Sequence, residues 1–334
     1  MVWLNFLFCL VIILFAGTKL ARYGDTIAHK TGLSGLWIGL VLLSAITSVP
    51  EIATSVSSSA LVGSADLSLG TLFGSNLFNL AILAFIDACH PFTPILSTVS
   101  SRHILLAIGA VLLTAIAATG ILTGDALSGI SLGWLGIASI IILLLYLYLI
   151  RRIFVIEKKT NSSSQPEKPE QYRDTSLGMV WVKFSLAAAA VIGAGIWISF
   201  IGDDIALATG WGTSFVGSLF LAISTSAPEL VVTFTALRLG AVDMAVADIL
   251  GSNMFNMAII FLADVFYTRQ AILTSASDAH VITAAAGILM SLLVIIALRF
   301  RQQKKLGRVI SWYSPPLIIL YLLGFYFLFA SGIS

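Results

Sequence analysis

Thr47-Ser48-Val49-Pro50-Glu51 recurs as Thr225-Ser226-Ala227-Pro228-Glu229, and both copies lie inside long apolar segments. Gly74-Ser75-Asn76-Leu77-Phe78-Asn79 follows the first copy, and Gly251-Ser252-Asn253-Met254-Phe255-Asn256 follows the second. A charge at the bilayer centre costs at least ~3 kcal/mol, so such groups mark ion pathways. Proline removes a backbone donor and breaks the helical ladder. A chain that places both together, twice, is read as building an ion site.

The surroundings say which solvent the chain meets. Of 334 residues, 58% are hydrophobic and 10% charged, and the mean hydropathy is +1.02. Soluble domains carry roughly 25% charged residues, so this composition reads as a polytopic membrane protein. The net charge of +2 says little about partners. At about 20 apolar residues per span, ten spans are expected, near 2–21, 33–62, 68–89, 102–119, 126–150, 178–200, 212–238, 245–267, 279–299 and 314–333. The first has no basic segment before it and reads as an uncleaved anchor. With the N-terminus outside, every Lys and Arg except Arg269 falls on the inner side, which predicts an N-out, C-out topology. The polar stretch at 151–177 reads as a flexible cytoplasmic linker. Cys9 and Cys89 read as small buried hydrophobes, and the four histidines make no zinc-hydrolase pattern.

The repeat extends beyond the two motifs. Gly24-Asp25-x-Ile27-Ala28-x-x-Thr31-Gly32 reappears as Gly202-Asp203-x-Ile205-Ala206-x-x-Thr209-Gly210, at an offset of 178. The Gly-Ser-Asn blocks are offset by 177, and Asn79 and Asn256 are each followed eight residues later by an aspartate, Asp87 and Asp264. Two halves with an odd number of spans enter the membrane from opposite faces. The expected architecture is therefore an all-α membrane protein of ten transmembrane helices, built as two inverted five-helix repeats with broken helices at the midplane. Residues 1–150 form the first repeat, with its motif region at 33–89. Residues 178–334 form the second, with its motif region at 212–267. Secondary transporters with inverted repeats hold their ions at the repeat interface.

The residue types point to a hard cation. Pro50 and Pro228 leave the carbonyls of Ile46 and Ser224 without their helical donors. Thr47 and Glu51, and likewise Thr225 and Glu229, stand four apart, a spacing that stacks side chains on one helix face. Ser75 with Asn79, and Ser252 with Asn256, repeat that spacing on the following helix, and Ser48 and Ser226 add hydroxyls. All-oxygen coordination selects hard cations. Two carboxylates balance one Ca2+ or two monovalent ions, and Ca2+ takes six to eight oxygens. Mg2+, which dehydrates reluctantly, suits the pocket less. Asp248 has no acidic counterpart in the first half, where Thr71 stands; it reads either as a vestibule or coupling carboxylate or as a helix cap. Asp66, Asp203 and Asp204 read as surface carboxylates near the outer mouth.

The paired Thr-Ser-x-Pro-Glu and Gly-Ser-Asn-x-x-Asn blocks resemble the two alpha-repeats of the calcium/cation antiporter superfamily, most closely its sodium/calcium exchanger branch. The resemblance implies exchange of Ca2+ for Na+ by alternating access, with spans two, three, seven and eight forming the site. It matches Glu51 and Glu229 to the central glutamates, and Thr47, Thr225, Ser75, Ser252 and Asn79 to oxygen ligands. It also matches Ser48 and Ser226 to flanking serines, and Ser44 and Ala222 to positions whose backbone carbonyls face sodium. The first and sixth spans are implied to slide as a gate. The chain departs from the pattern at Asn256, where aspartate is common, at Ile46 and Ser224, where glycine is usual, and at Thr71 and Asp248, which replace asparagine.

The expected function is thus a Ca2+/Na+ antiporter of a prokaryotic plasma membrane, not an enzyme. A Ca2+/H+ antiporter and a passive cation channel are the rival readings. The expected partners are inorganic cations and the lipid bilayer, with no nucleic acid and no cofactor beyond the transported Ca2+ and Na+ or H+.

Overall fold

A segment in hydrocarbon must satisfy its own backbone donors and acceptors, which a helix does. In the computed structural model this requirement is met along nearly all of the residues described, namely 2–31, 44–90, 93–124, 131–160, 176–238, 240, 242–301, 305 and 310–331. The main helices are α1 (Val2–Thr31), α2 (Ser44–Thr47), α3 (Val49–Ser57), α4 (Ala65–Cys89), α5 (His103–Leu122) and α6 (Ile137–Thr160). They continue with α7 (Leu177–Thr209), α8 (Ala222–Thr225), α9 (Ala227–Arg238), α10 (Val242–Phe266), α11 (His280–Phe300) and α12 (Ser314–Ser331). Single π-helical turns follow α3, at Ser58–Val62, and precede α8, at Gly217–Leu221.

Among the described residues eight helices are long and apolar enough to cross a membrane: α1, α4, α5, α6, α7, α10, α11 and α12. Thr213–Thr225 together with α9 makes a ninth, bent by 42°. The protein is an integral membrane protein. Of the expected span 33–62, residues 33–43 lie outside the described residues.

Several boundaries differ from expectation. The fifth span is expected at 126–150, but its helix begins at Ile137, after a two-stranded hairpin of Ser131–Leu132 with Leu135–Gly136 that turns at Gly133, φ 69°. That helix runs on to Thr160, so 151–160 is helical; residues 161–175 of the expected linker lie outside the described residues. The helices α1 and α7 continue to Thr31 and Thr209 and so contain both Gly-Asp blocks up to their last glycine; Gly210 caps α7, and Gly32 lies outside the described residues. Cys9 is buried, its thiol donating to the Ala194 carbonyl at 3.1 Å. Cys89 is exposed, because it is the last residue of α4 and sits where that helix leaves the bundle.

The helices α4 and α10 form the centre. Of the most apolar stretch of α4, 89% is buried, and 72% of that of α10, against 22–50% for the other six helices. Small residues allow this. A Cβ at Gly70 would lie 3.0 Å from the Ser214 carbonyl oxygen, and one at Gly74 would collide with the backbone of Ser218. Backbone-to-backbone approach of this kind is how membrane helices pack without a hydrophobic driving force. The helices α1 and α7 pack closely on the broken helices through glycine against side-chain carbon: a Cβ at Gly17 would sit 2.5 Å from Cγ of Pro228, and one at Gly195 2.6 Å from Cβ of Ala53.

Polar contacts tie the two halves reciprocally. Asp66 Oδ1 accepts from the Ser277 amide at 2.8 Å and pairs with His280 Nε2 at 3.1 Å. Asp243 Oδ1 accepts from the Ser100 amide at 2.8 Å and pairs with His103 Nε2 at 2.9 Å. Each of these residues is the counterpart of another at the offset of the Gly-Ser-Asn blocks. Asp66 therefore clamps two helix starts together. The eight-residue echo after each asparagine also has a structural explanation: Asp87 Oδ1 caps the Ile95 amide at 2.9 Å, and Asp264 Oδ1 caps the Ile272 amide at 2.7 Å. Asp87 is further held by Tyr313 Oη at 2.6 Å and by Lys305 Nζ at 3.6 Å.

Candidate cation site

The site is built where two helices break. Ser48 separates α2 from α3 with φ −83° and ψ 10°, and Ser226 separates α8 from α9 with φ −86° and ψ 7°. The ladder bridges each break: the Ser48 amide donates to Ser44 O at 3.0 Å and the Ser226 amide to Ala222 O at 2.9 Å. Pro50 and Pro228 have no N–H to offer the carbonyls of Ile46 and Ser224. Thr47 Oγ1 and Thr225 Oγ1 donate to Ser44 O and Ala222 O, each at 3.3 Å, which leaves their lone pairs available and fixes their direction.

The structure brings the sequence-predicted residues together across the halves. Ser226 Oγ donates to Glu51 Oε1 at 2.7 Å, and Ser48 Oγ donates to Glu229 Oε1 at 3.4 Å, so each carboxylate is held by the serine at the other half's break. Ser75 Oγ donates to Glu51 Oε1 at 3.3 Å and stands 3.4 Å from Thr225 Oγ1. The second oxygens, Oε2 of Glu51 and of Glu229, have no hydrogen-bond partner. Every one of Ser44, Thr47, Ser48, Glu51, Ser75, Asn79, Ala222, Thr225, Ser226, Glu229, Asp248, Ser252 and Asn256 is at most 1% exposed, so the whole group is buried among the described residues.

Two residues inside the motif, Asn76 and Asn253, carry no assignment from sequence, and they orient the ligands. Asn79 Nδ2 donates to Asn253 Oδ1 at 3.0 Å, and Asn256 Nδ2 donates to Asn76 Oδ1 at 3.1 Å. Asn76 Nδ2 and Asn253 Nδ2 in turn donate to each other's backbone carbonyls at 3.3 and 3.2 Å. With their amide nitrogens spent, Asn79 and Asn256 present Oδ1 atoms that have no donor. Ser252 Oγ is likewise without a partner. Buried polar atoms are almost always satisfied, so unpaired carboxylate, amide and hydroxyl oxygens together form a set that a cation can complete.

Asp248 is not a helix cap. It lies inside α10, buried, with both carboxylate oxygens unpartnered. Thr233 lies beside it without meeting hydrogen-bond geometry, and Glu229 is within range of its charge. Thr71, its counterpart, donates to the Leu67 carbonyl at 2.8 Å. Among the described residues no three His, Cys, Asp or Glu side chains converge as a metal cluster; the centre depends on neutral oxygens around the two glutamates.

A buried cluster of unpaired oxygens between broken helices in a membrane bundle is the class of site that membrane transporters place at their repeat interface. The chain belongs to the sodium/calcium exchanger protein family, whose model matches residues 1–152 and 179–332. Inner membrane protein YrbG of Escherichia coli is 29% identical over 260 residues, covering 75% of each chain. The solved sodium-calcium exchanger NCX_Mj superposes with a TM-score of 0.63 at 22% identity, over 98% of this chain and 99% of that one. The H+/Ca2+ exchanger CAX superposes with a TM-score of 0.73 at 14% identity, over 99% of this chain and 85% of that one.

Proposed function

We propose that the protein is a secondary active antiporter that exchanges Ca2+ for Na+ by alternating access. One observation carries this reading: the buried oxygens of Glu51, Glu229, Asn79, Asn256 and Ser252 that lack donors. With Thr47, Thr225 and the freed carbonyls of Ile46 and Ser224, they are more than enough for the six to eight oxygens that Ca2+ takes. Two carboxylates balance its charge. Na+ entering the same oxygens competes with Ca2+, so the ions occupy the glutamates alternately. Each ion shifts the inward- and outward-facing populations only through its differential affinity for the two states. A Na+ ion using the carbonyl of Ser44 or Ala222 competes there with two hydrogen bonds.

The architecture that serves this function is ten spans in two inverted five-span halves, N-out and C-out, with α1 and α7 sliding on the rest. The constant offset of the reciprocal contacts and the inner-side excess of Lys and Arg support it. In that orientation Cys89 faces the cytoplasm. A membrane-impermeant thiol reagent is expected to label it in inside-out vesicles and not in right-side-out ones; the reverse pattern overturns the topology.

The likeness to the H+/Ca2+ exchanger and the absence of an acid at Asn256 favour a second reading, in which Glu51 and Glu229 carry protons outward as Ca2+ enters the site. Uptake of radiolabelled Ca2+ into proteoliposomes separates the two. Na+-loaded vesicles at equal pH are expected to accumulate Ca2+. Accumulation driven only by a pH gradient selects the proton reading, and uptake that ignores both gradients ends the antiporter reading.

A further inference from the structure

We infer that Asp248, Thr233 and Ser252 form a second cation station beside Glu229, which holds a single monovalent cation, Na+, during the exchange cycle. The inference rests on the Ca2+/Na+ reading above and deepens it.

Four oxygens carry it. Asp248 is 1% exposed and Thr233 and Ser252 are fully buried, yet both carboxylate oxygens of Asp248, Thr233 Oγ1 and Ser252 Oγ have no hydrogen-bond partner. A buried carboxylate with no donor and no cation is expensive in any protein and more so in a bilayer. Helical spacing aligns the group. Asp248 and Ser252 are four apart on α10, as Glu229 and Thr233 are on α9, and residues at that spacing share a face. Thr233 lies beside Asp248, α9 packs against α10, and Glu229 is within range of the Asp248 charge.

The station meets the central pocket at Ser252 and adds a carboxylate that lies outside it. Asp248 stands eight residues before Asn256 on α10, about 12 Å along the helix axis. One carboxylate with hydroxyl neighbours balances one positive charge and falls short of the oxygen count that Ca2+ needs. It is also one-sided. In the first half Ser55, the counterpart of Thr233, bonds Ser68 at 2.7 Å; Thr71 bonds its own helix, and Ser75 bonds Glu51. Only the second half keeps these oxygens open, so a Na+ ion waits next to Glu229 and has no equivalent berth next to Glu51.

The test uses the full chain in proteoliposomes and compares two modes of one protein, Na+-driven Ca2+ uptake and Ca2+/Ca2+ exchange, which needs no Na+. Asp248→Asn is expected to lower Na+-driven uptake at limiting Na+ at least ~10-fold and Ca2+/Ca2+ exchange less than ~3-fold, since it changes affinity for one ion only. The Hill coefficient for Na+ falls by roughly one. Thr233→Val, which keeps shape and charge, moves the two modes in the same direction by a smaller factor and covers the case in which Asp248→Asn fails to fold. Equal losses in both modes, or an unchanged Hill coefficient in a folded variant, overturn the station. Its failure is read in the variants; failure of the Ca2+/Na+ reading shows already in the wild type, as Ca2+ exchange that ignores Na+, and takes the station with it.

Discussion

The two halves agree closely at the molecular centre and part company one helical turn away. Asn76 and Asn253, Ser48 and Ser226, and Asp66 and Asp243 make matched bonds, and each of these bonds crosses between halves. Ser55 bonds Ser68 and Thr71 bonds Leu67, both inside the first half, and the second half has Thr233 and Asp248 at those places with nothing bonded. A bond between halves constrains both partners at once. A bond within a half leaves the other half free to change. The matched local caps at Asp87 and Asp264 show that symmetry is not confined to crossing contacts; at Ser55 and Thr71, however, the local bonds have no equivalent in the second half, and there the third buried carboxylate of the site region appears.

The largest expected effect tests the symmetric part. Glu51→Gln and Glu229→Gln each remove one charge from a buried ion interaction, worth about 3–5 kcal/mol, and each should abolish measurable Ca2+ uptake in proteoliposomes. Retained uptake in either variant removes that residue from the site. Next come Asn76→Ala and Asn253→Ala, which release the amides of Asn256 and Asn79. Partners that orient a ligand typically account for about 10–100-fold in metal affinity, and because the asparagine cross is symmetric the two losses of apparent Ca2+ affinity should match. Unequal losses would show that the cross serves one side more than the other. The smallest effect belongs to the serines. A hydrogen bond to a charged group contributes about 1.5–3 kcal/mol, and Ser75 still supports Glu51 when Ser226 is lost, so Ser226→Ala should fall at the low end of that range. Ser48→Ala, which removes a 3.4 Å bond in place of a 2.7 Å one, should lower apparent affinity less again.

Much of the site is legible in the sequence because its ligand types recur at helical spacing. Thr47 and Glu51, and Ser75 and Asn79, announce a shared face by their spacing alone, and the prolines announce the break. The residues that escape are those whose meaning depends on the other half. Asn76 is one turn from Asn79, and only Asn256, 180 residues away, whose amide it receives, reveals that it orients a candidate ligand. Thr233 stands four residues after Glu229, but a threonine in an apolar run has many satisfied environments, so the spacing alone assigns it no role. Asp66 reads as a surface carboxylate because His280 and Ser277, its partners, are far along the chain. The fifth span is expected too early because the apolar run through 126–150 hides the turn at Gly133. Cys89 reads as buried from its apolar neighbours, which do not report that α4 ends there.

The crossed serines also constrain how the membrane protein is made. Glu51 is inserted early in synthesis, but the hydroxyl that bonds it most closely, that of Ser226, lies 175 residues downstream. Until the second half enters the bilayer, the first holds a glutamate whose charge costs at least ~3 kcal/mol at the bilayer centre, and the strongest of its supporting bonds does not yet exist. Neither half alone assembles the pocket. Completion of the candidate cation site therefore waits for the docking of two segments that the ribosome delivers far apart in time, and a chain truncated before Ser226 lacks the shortest bond to Glu51.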